Sequence, residues 1–220
     1  MLWIMEQVEQ ADPAAVLARL DSLSPLRQAR VRAMRNEEAR VCSVLAELLL
    51  RCALETEFAL KALPRQEVGK KGKPFFPDFP TLCFNLSHCK TTVACGLDTA
   101  PLGVDAQEPR PLRRKGAGRT VPPLFRVLSR TEQDWVLAVE SETEQDRRFA
   151  SLWTCKEAYG KATGDGILYA LDQTAFLPRP MPWEQYGFCF QQLELPAAFV
   201  TLCASSPLAV RFVSPSDFLD

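Results

Sequence analysis

The residues best suited to chemistry lie in Trp153-Thr154-Cys155-Lys156-Glu157-Ala158-Tyr159-Gly160-Lys161. Read as a helix closed by Gly164-Asp165-Gly166, the segment puts Trp153, Glu157 and Lys161 at i, i+4 and i+8 on one stripe. A carboxylate and an ammonium are then held one turn apart above an aromatic ring. Taken alone, the pair reads as well as a solvated ion pair. Gly160 costs roughly 1 kcal/mol relative to alanine inside a helix, which predicts that something packs closely there. The second stretch, about 50 residues upstream, is Gly103-Val104-Asp105. An acid at the C-terminal end of an apolar strand is well placed to face a cleft, although it also suits a turn or a cap. Two hard oxygen ligands fit Mg²⁺, which keeps waters and takes further ligands from substrate phosphates. Lys73, Lys156, Lys161 and the pair Arg27/Arg30 suit a polyanionic ligand. His88, the single histidine, follows Asn85-Leu86-Ser87, and a lone histidine is more often structural.

The elements that must position these groups follow from periodicity and punctuation. Residues 2–9 suit a first strand. Asp12-Pro13 opens a helical run to about Leu23, and Ser24-Pro25 caps a second helix carrying Arg27, Arg30, Arg32 and Arg35. Val41, Val44, Leu45, Leu48, Leu49 and Cys52 form a 3.6-residue apolar stripe on a helix from Glu37 to about Leu60. Lys70 to Pro74 is a basic loop, Phe75–Phe79 is extended, and Leu82–His88, Thr91–Leu97 and Pro101–Asp105 read as strands. Ser129-Arg130-Thr131-Glu132 has the spacing of a capping box and opens a helix to about Ser141; the helix 147–163 follows. Thr174–Phe176, Gly187–Leu195, Ala198–Cys203 and Leu208–Val213 read as strands. The order predicts an α+β protein of two similar halves, 1–103 and 104–220.

Composition bounds the possibilities. With 220 residues, 47% apolar and 24% charged, the chain is an ordinary globular protein. A net charge of −1 gives no global pull toward nucleic acid or membrane. No apolar run approaches the ~20 residues of a transmembrane helix. Met1 to Gln10 holds Glu6 and Glu9 and no basic residue, unlike a secretory signal. The eight cysteines form no C-x-x-C pair. With one histidine they make a zinc site improbable and fit reduced thiols in a cytoplasmic protein.

Together these landmarks resemble the 4′-phosphopantetheinyl transferases, in the larger single-chain subgroup that activates peptide and polyketide synthetases. The resemblance rests on Gly103-Val104-Asp105 and Trp153-x-x-Lys156-Glu157-Ala158-x-x-Lys161. Gly72-Lys73-Pro74, Phe84-Asn85-Leu86-Ser87-His88, and Leu23-Ser24-Pro25 with Arg27 and Arg30 stand in the family's order. It implies two α+β halves about a pseudo-twofold axis, with coenzyme A in the cleft between them. It also implies Mg²⁺-dependent transfer of phosphopantetheine to a serine of an acyl or peptidyl carrier protein, by a monomer. Asp105, Gln107 and Glu157 would hold the metal. Glu157, or a water it orients, would help deprotonate the serine, and Lys161 would stabilise or protonate the leaving phosphate. Arg27, Arg30, Lys73, Ser87, His88, Lys156 and Lys161 would meet coenzyme A. The alternative is a degenerate homologue that binds coenzyme A and transfers little.

Two departures stand out. Where the family commonly has a third acidic ligand, this chain has Gln107, a neutral donor. The adjacent Glu108 should face the opposite way along a strand. A basic residue that the family often places on the long helix falls near Arg40 or Cys42. The region Pro109–Arg130 carries seven Lys/Arg and no Asp/Glu. It is either a solvated loop or a dock for the acidic helix of a carrier protein.

Overall fold

The computed structural model describes residues 1–112, 127–164 and 174–219. Arg113, Arg114 and Lys115, and with them most of the basic stretch Pro109–Arg130, lie outside the described residues. The chain is an α+β protein, as expected. In order, the elements are β1 (Leu2–Met5), α1 (Pro13–Ala18), α2 (Pro25–Ala33), α3 (Glu37–Phe58), β2 (Glu67–Val68), β3 (Pro74–Phe75), β4 (Cys83–His88), β5 (Val93–Asp98) and β6 (Gly103–Gln107). Then come α4 (Arg130–Leu137), α5 (Glu142–Thr163), β7 (Trp183–Gln185), β8 (Phe188–Glu194), β9 (Phe199–Ala204) and β10 (Val210–Val213).

Two four-stranded sheets, ordered β10-β1-β5-β4 and β6-β9-β8-β7, carry the fold, and β2-β3 is a separate hairpin. Each sheet is covered on one face by a 22-residue helix, α3 for the first and α5 for the second. The other faces pack on each other through Leu2, Ile4, Ala94, Val104, Val200 and Leu202. Strands covered on both faces need not alternate. Hence all four residues of β1 are buried, with Trp3 and Met5 toward α3 and Leu2 and Ile4 toward the second sheet. The C-terminal strand β10 pairs in parallel with β1, so residues 210–213 belong to the first sheet although they follow the second in sequence.

Local chemistry starts and stops the helices. Asn36 accepts from Ala39 N at 2.8 Å to cap α3, with Glu37 and Glu38 in its first turn. The box of Ser129 and Glu132 closes reciprocally on α4. Ser141 caps α5, and Gly164, at φ 75°, ends it in the left-handed conformation that glycine adopts without strain. The helix expected over 147–163 therefore begins at Glu142, because Ser141 and Glu144 make a start signal inside a stretch that reads as the end of the preceding helix. Thr174–Phe176 is not a strand; Trp183–Gln185 takes the edge of the second sheet instead.

The seam between the two sheets, where β4 meets β6, is held by side chains. Asn85 and Ser87 lie on the β4 face opposite the core residues Phe84 and Leu86. Asn85 Oδ1 accepts from Val104 N at 2.8 Å, and Ser87 Oγ accepts from Ala106 N at 3.1 Å. Two alternate side chains of one edge strand thus satisfy two alternate backbone donors of the other.

Candidate active site

Residue 103 sets how closely β6 can lie on α5. A Cβ there would stand 2.0 Å from the Ala158 carbonyl oxygen and 2.5 Å from the Ala162 nitrogen. Only glycine allows this approach. Two residues along the same strand face, Asp105 meets the side chain of Lys161, which reaches back from the last turn of α5. Lys161 Nζ donates to Asp105 Oδ1 at 2.7 Å, to Val104 O at 3.0 Å and to Ser87 Oγ at 3.1 Å. Ser87 Oγ itself donates to Asp105 Oδ1 at 2.8 Å. The second carboxylate oxygen, Asp105 Oδ2, is buried without a hydrogen-bond partner.

Glu157, one turn before Lys161, belongs to the same electrostatic cluster. Its pKa is raised to about 7, first by burial and then by the Asp105 carboxylate, against the opposing pull of Lys161. A carboxyl poised near neutrality can take up a proton or, once a cation is present, surrender one. Gln107 shares the strand face of Asp105; its Nε2 donates to Glu108 O at 2.9 Å, which leaves Oε1 as the acceptor. Glu108 Oε1 accepts from Thr91 N at 2.8 Å. It is turned to the β4–β5 connection, as strand parity predicts. Trp153 stacks on Phe149 with ring centroids 5.9 Å apart and, with Gln107 and Leu112, lines a small cleft of about 170 Å³.

A cationic cluster adjoins these carboxylates. His88 is depressed to about 4, first by burial and then by Arg27, Arg30 and Lys161, three positive groups that face it. Arg27 is fixed from behind. Its Nη1 donates to Ser43 Oγ at 3.2 Å, and its Nε lies 3.7 Å from Glu47 Oε2. Glu47 is fully buried and also accepts from Ser24 N at 2.7 Å and Ser24 Oγ at 2.6 Å, and pairs with Arg51 at 2.9 Å. Sequence reasoning missed Ser43, Glu47 and Asn85. A serine and a glutamate four apart, facing inward on an otherwise apolar helix stripe, were the available signal. Cys42 brings no cation to this cluster. Its thiol is buried, pushed up to about 12 by burial, and donates to Cys89 O at 3.3 Å.

Two expected ligands of a polyanion are engaged elsewhere. Lys156 is fully buried and pairs with Glu132 at 3.0 Å, under the Phe176 ring. Neighbours on a helix point about 100° apart, so a helix that turns Glu157 to β6 turns Lys156 into the core; it is not a coenzyme contact. Lys73 lines a cleft of about 220 Å³ with Gly72, Pro74, Asn85, Gly160 and Lys161. Its ammonium, however, donates to Leu102 O at 2.8 Å and Lys161 O at 2.6 Å.

The donor set suits a hard cation. Asp105 and Glu157 supply carboxylates, Gln107 an amide oxygen, and the orphaned Asp105 Oδ2 is an acceptor in need of a partner. Among the described residues no group of three or more His, Cys, Asp or Glu could hold a metal. An oxygen site of two carboxylates beside fixed cations can hold a polyanion and a divalent cation together.

The model of the 4′-phosphopantetheinyl transferase superfamily matches residues 101–208, which include Asp105, Glu157 and Lys161. The 4′-phosphopantetheinyl transferase psf-1 of Bacillus pumilus is 31% identical over 183 residues, covering 78% of this chain and 74% of that protein. The transferase Sfp of Bacillus subtilis is 30% identical over 151 residues, covering 68% of this chain and 64% of the relative. AcpT of Salmonella typhimurium is 28% identical over 153 residues, covering 69% and 73%. The chain belongs to the 4′-phosphopantetheinyl transferase superfamily.

Proposed function

We propose that the chain transfers the 4′-phosphopantetheine group of coenzyme A to a serine hydroxyl of an apo acyl or peptidyl carrier protein, with Mg²⁺. The reading is carried by the hydrogen-bonded cluster of Ser87, Asp105 and Lys161 beside Glu157, in a chain of this family. The similarity lends no support to a degenerate homologue that only binds. Arg27, Arg30 and His88 would grip the 3′-phosphate of coenzyme A. Binding of that dianion favours the protonated imidazole, opposing the burial that keeps it neutral. Asp105, Glu157 and Gln107 Oε1 are the groups that would hold Mg²⁺, which when bound neutralises charge on the pyrophosphate.

The remaining steps fall to the chain's own side chains. Glu157, with its pKa raised to about 7, would draw the proton from the incoming serine, directly or through a water. The serine oxygen attacks the β-phosphorus and the bond to the leaving 3′,5′-ADP oxygen breaks. Lys161 would stabilise or protonate that leaving phosphate. Phosphoryl transfer asks mainly for positioning and charge neutralisation, and this site offers both.

The two halves, 1–103 and 104–220, would be related by a pseudo-twofold axis, each placing a 22-residue helix over a four-stranded sheet, with β10 of the second half completing the first sheet. The ligand would lie in the cleft between them. No helix among the described residues is long and apolar enough to cross a membrane. A monomer in the cytoplasm, acting on carrier proteins and not on nucleic acid or membrane, completes the proposal. Its eight free cysteines suit a reducing compartment. The test is intact-mass spectrometry of an apo carrier protein incubated with the chain, coenzyme A and Mg²⁺. The carrier should gain one phosphopantetheine, and lose that gain with Glu157→Gln or excess chelator. No gain on any of several carriers, despite bound coenzyme A, refutes transfer.

A further inference from the structure

The ammonium of Lys73 is committed to main chain. It bridges Leu102 O at 2.8 Å, immediately before β6, and Lys161 O at 2.6 Å, in the last turn of α5. The final carbonyls of a helix have no partner within it and carry partial negative charge, so a cation there satisfies both needs. The loop is shaped for this reach. Gly72 adopts φ 85°, Gly72 N donates to Gly69 O and Gly69 N donates to Lys73 O, each at 2.9 Å. The two residues joined are those that matter. Leu102 leads into the strand that places Asp105 three positions later, and Lys161 contributes its own side chain to Asp105 at 2.7 Å. Lys73 stands where β6 meets α5 without a Cβ at Gly103, so one side chain from the first half closes the junction of two elements of the second.

We propose that Lys73 is a positioning residue that fixes β6 against α5, and so Asp105 against Lys161, rather than a contact to the phosphates of coenzyme A. The inference deepens the transferase reading and rests on it for its catalytic consequence. Its geometric content stands apart from that reading: the ammonium is spent on two carbonyls, and burial lowers its pKa as expected of a cation drawn out of water.

The test compares Lys73→Met and Lys73→Arg with the unaltered full chain. It uses calorimetric binding of coenzyme A at two salt concentrations, amide hydrogen exchange of peptides covering 102–107 and 158–163, and the steady-state kinetics of transfer to an apo carrier. For Lys73→Met, coenzyme A affinity and its salt dependence should stay within about twofold. Exchange should quicken in both peptides, and kcat should fall about 10- to 100-fold at unchanged KM for coenzyme A, as a displaced catalytic group predicts. Lys73→Arg, which can still donate to two carbonyls, should recover part of the protection and part of kcat; it carries the same readouts if the Met variant does not fold. Coenzyme A affinity weakened about tenfold or more with a flattened salt dependence, and with exchange unchanged, would make Lys73 a phosphate ligand and overturn the proposal. If the unaltered chain transfers nothing, the transferase reading fails, while exchange still decides whether Lys73 ties the two elements.

Discussion

Gly103→Ala is the smallest change that should dismantle the site without touching any group that does chemistry. The added methyl would lie 2.0 Å from Ala158 O and 2.5 Å from Ala162 N. Both are main-chain atoms of α5, so no side chain can swing aside. Relief requires β6 and α5 to part by about an ångström to restore ordinary contact. That displacement is comparable to the whole tolerance of the hydrogen bonds crossing the junction: Lys73 to its two carbonyls at 2.8 and 2.6 Å, and Lys161 to Asp105 at 2.7 Å. Overpacking alone costs about 1–3 kcal/mol, and stretching two or three partly buried bonds adds about 1 kcal/mol each. A loss of about 3–6 kcal/mol follows, a large share of the ~5–15 kcal/mol that holds a typical domain. With a urea m-value of about 2 kcal/mol/M, the midpoint should fall by about 1.5–3 M at unchanged m. In 0 M urea the surviving folded fraction should bind coenzyme A through Arg27, Arg30 and His88 but transfer poorly. A midpoint within about 0.2 M of the unaltered protein, with full activity, would refute the claim that this close approach holds the site together.

Mg²⁺ binding should release a proton near neutrality. Glu157, raised to about 7, is largely protonated below that pH and must ionise to ligate, so affinity should climb with pH and level off above it. Calorimetry in buffers of different ionisation enthalpy reads this release; it should vanish in Glu157→Gln, and a pH-independent affinity would contradict it. His88 predicts the converse sensitivity in stability. Its folded pKa of about 4 lies below its ordinary 6.5, so the unfolded chain binds more protons between those values and stability is lost as pH falls through them, by on the order of 2–3 kcal/mol. Urea midpoints from pH 7 to 4 should fall less in His88→Gln, and NMR should show the imidazole pKa rising when coenzyme A binds; a pKa that does not move would remove the histidine from the site. Finally, Lys156→Met should cost about 3–5 kcal/mol by stranding Glu132 in the core, with Glu132→Gln beside it recovering much of the loss. Coenzyme A affinity of the folded variant should be unchanged, and a weakened affinity would return Lys156 to the ligand set.

How much of this was legible in the sequence depended on whether a feature is local. The stripe of Glu157 and Lys161, the Ser24 and Ser129 caps, and the parity that turns Glu108 from Asp105 follow from spacing alone, and the structure carries each of them. Lys156 shows the limit. Charge marks it as a candidate for a polyanion, but its direction is set by how α5 rotates on the second sheet, and that rotation is fixed by non-local packing. Lys73 fails for the same reason in a subtler form. Its loop is readable, yet its two acceptors are backbone carbonyls 29 and 88 residues away, and every residue owns a carbonyl, so no pattern of side chains can announce which will be met.

The seam explains why the least legible contacts are also the ones that assemble the site. Edge strands normally pair through backbone, where hydrogen bonding leaves little trace in residue type. Here Asn85 and Ser87 replace that pairing, accepting from Val104 N and Ala106 N, and Ser87 then extends the same hydroxyl to Asp105 and Lys161. One oxygen thus serves fold and site together. It follows that alanine at Ser87 removes more than a ligand contact, because it leaves the Ala106 amide unpaired and takes from the Asp105 carboxylate one of the two donors that hold it. Asn85, by contrast, meets only Val104 N among the bonds described. The two alternate residues therefore divide the work: Asn85 aligns the two sheets, and Ser87 turns that alignment into the geometry of Asp105 and Lys161.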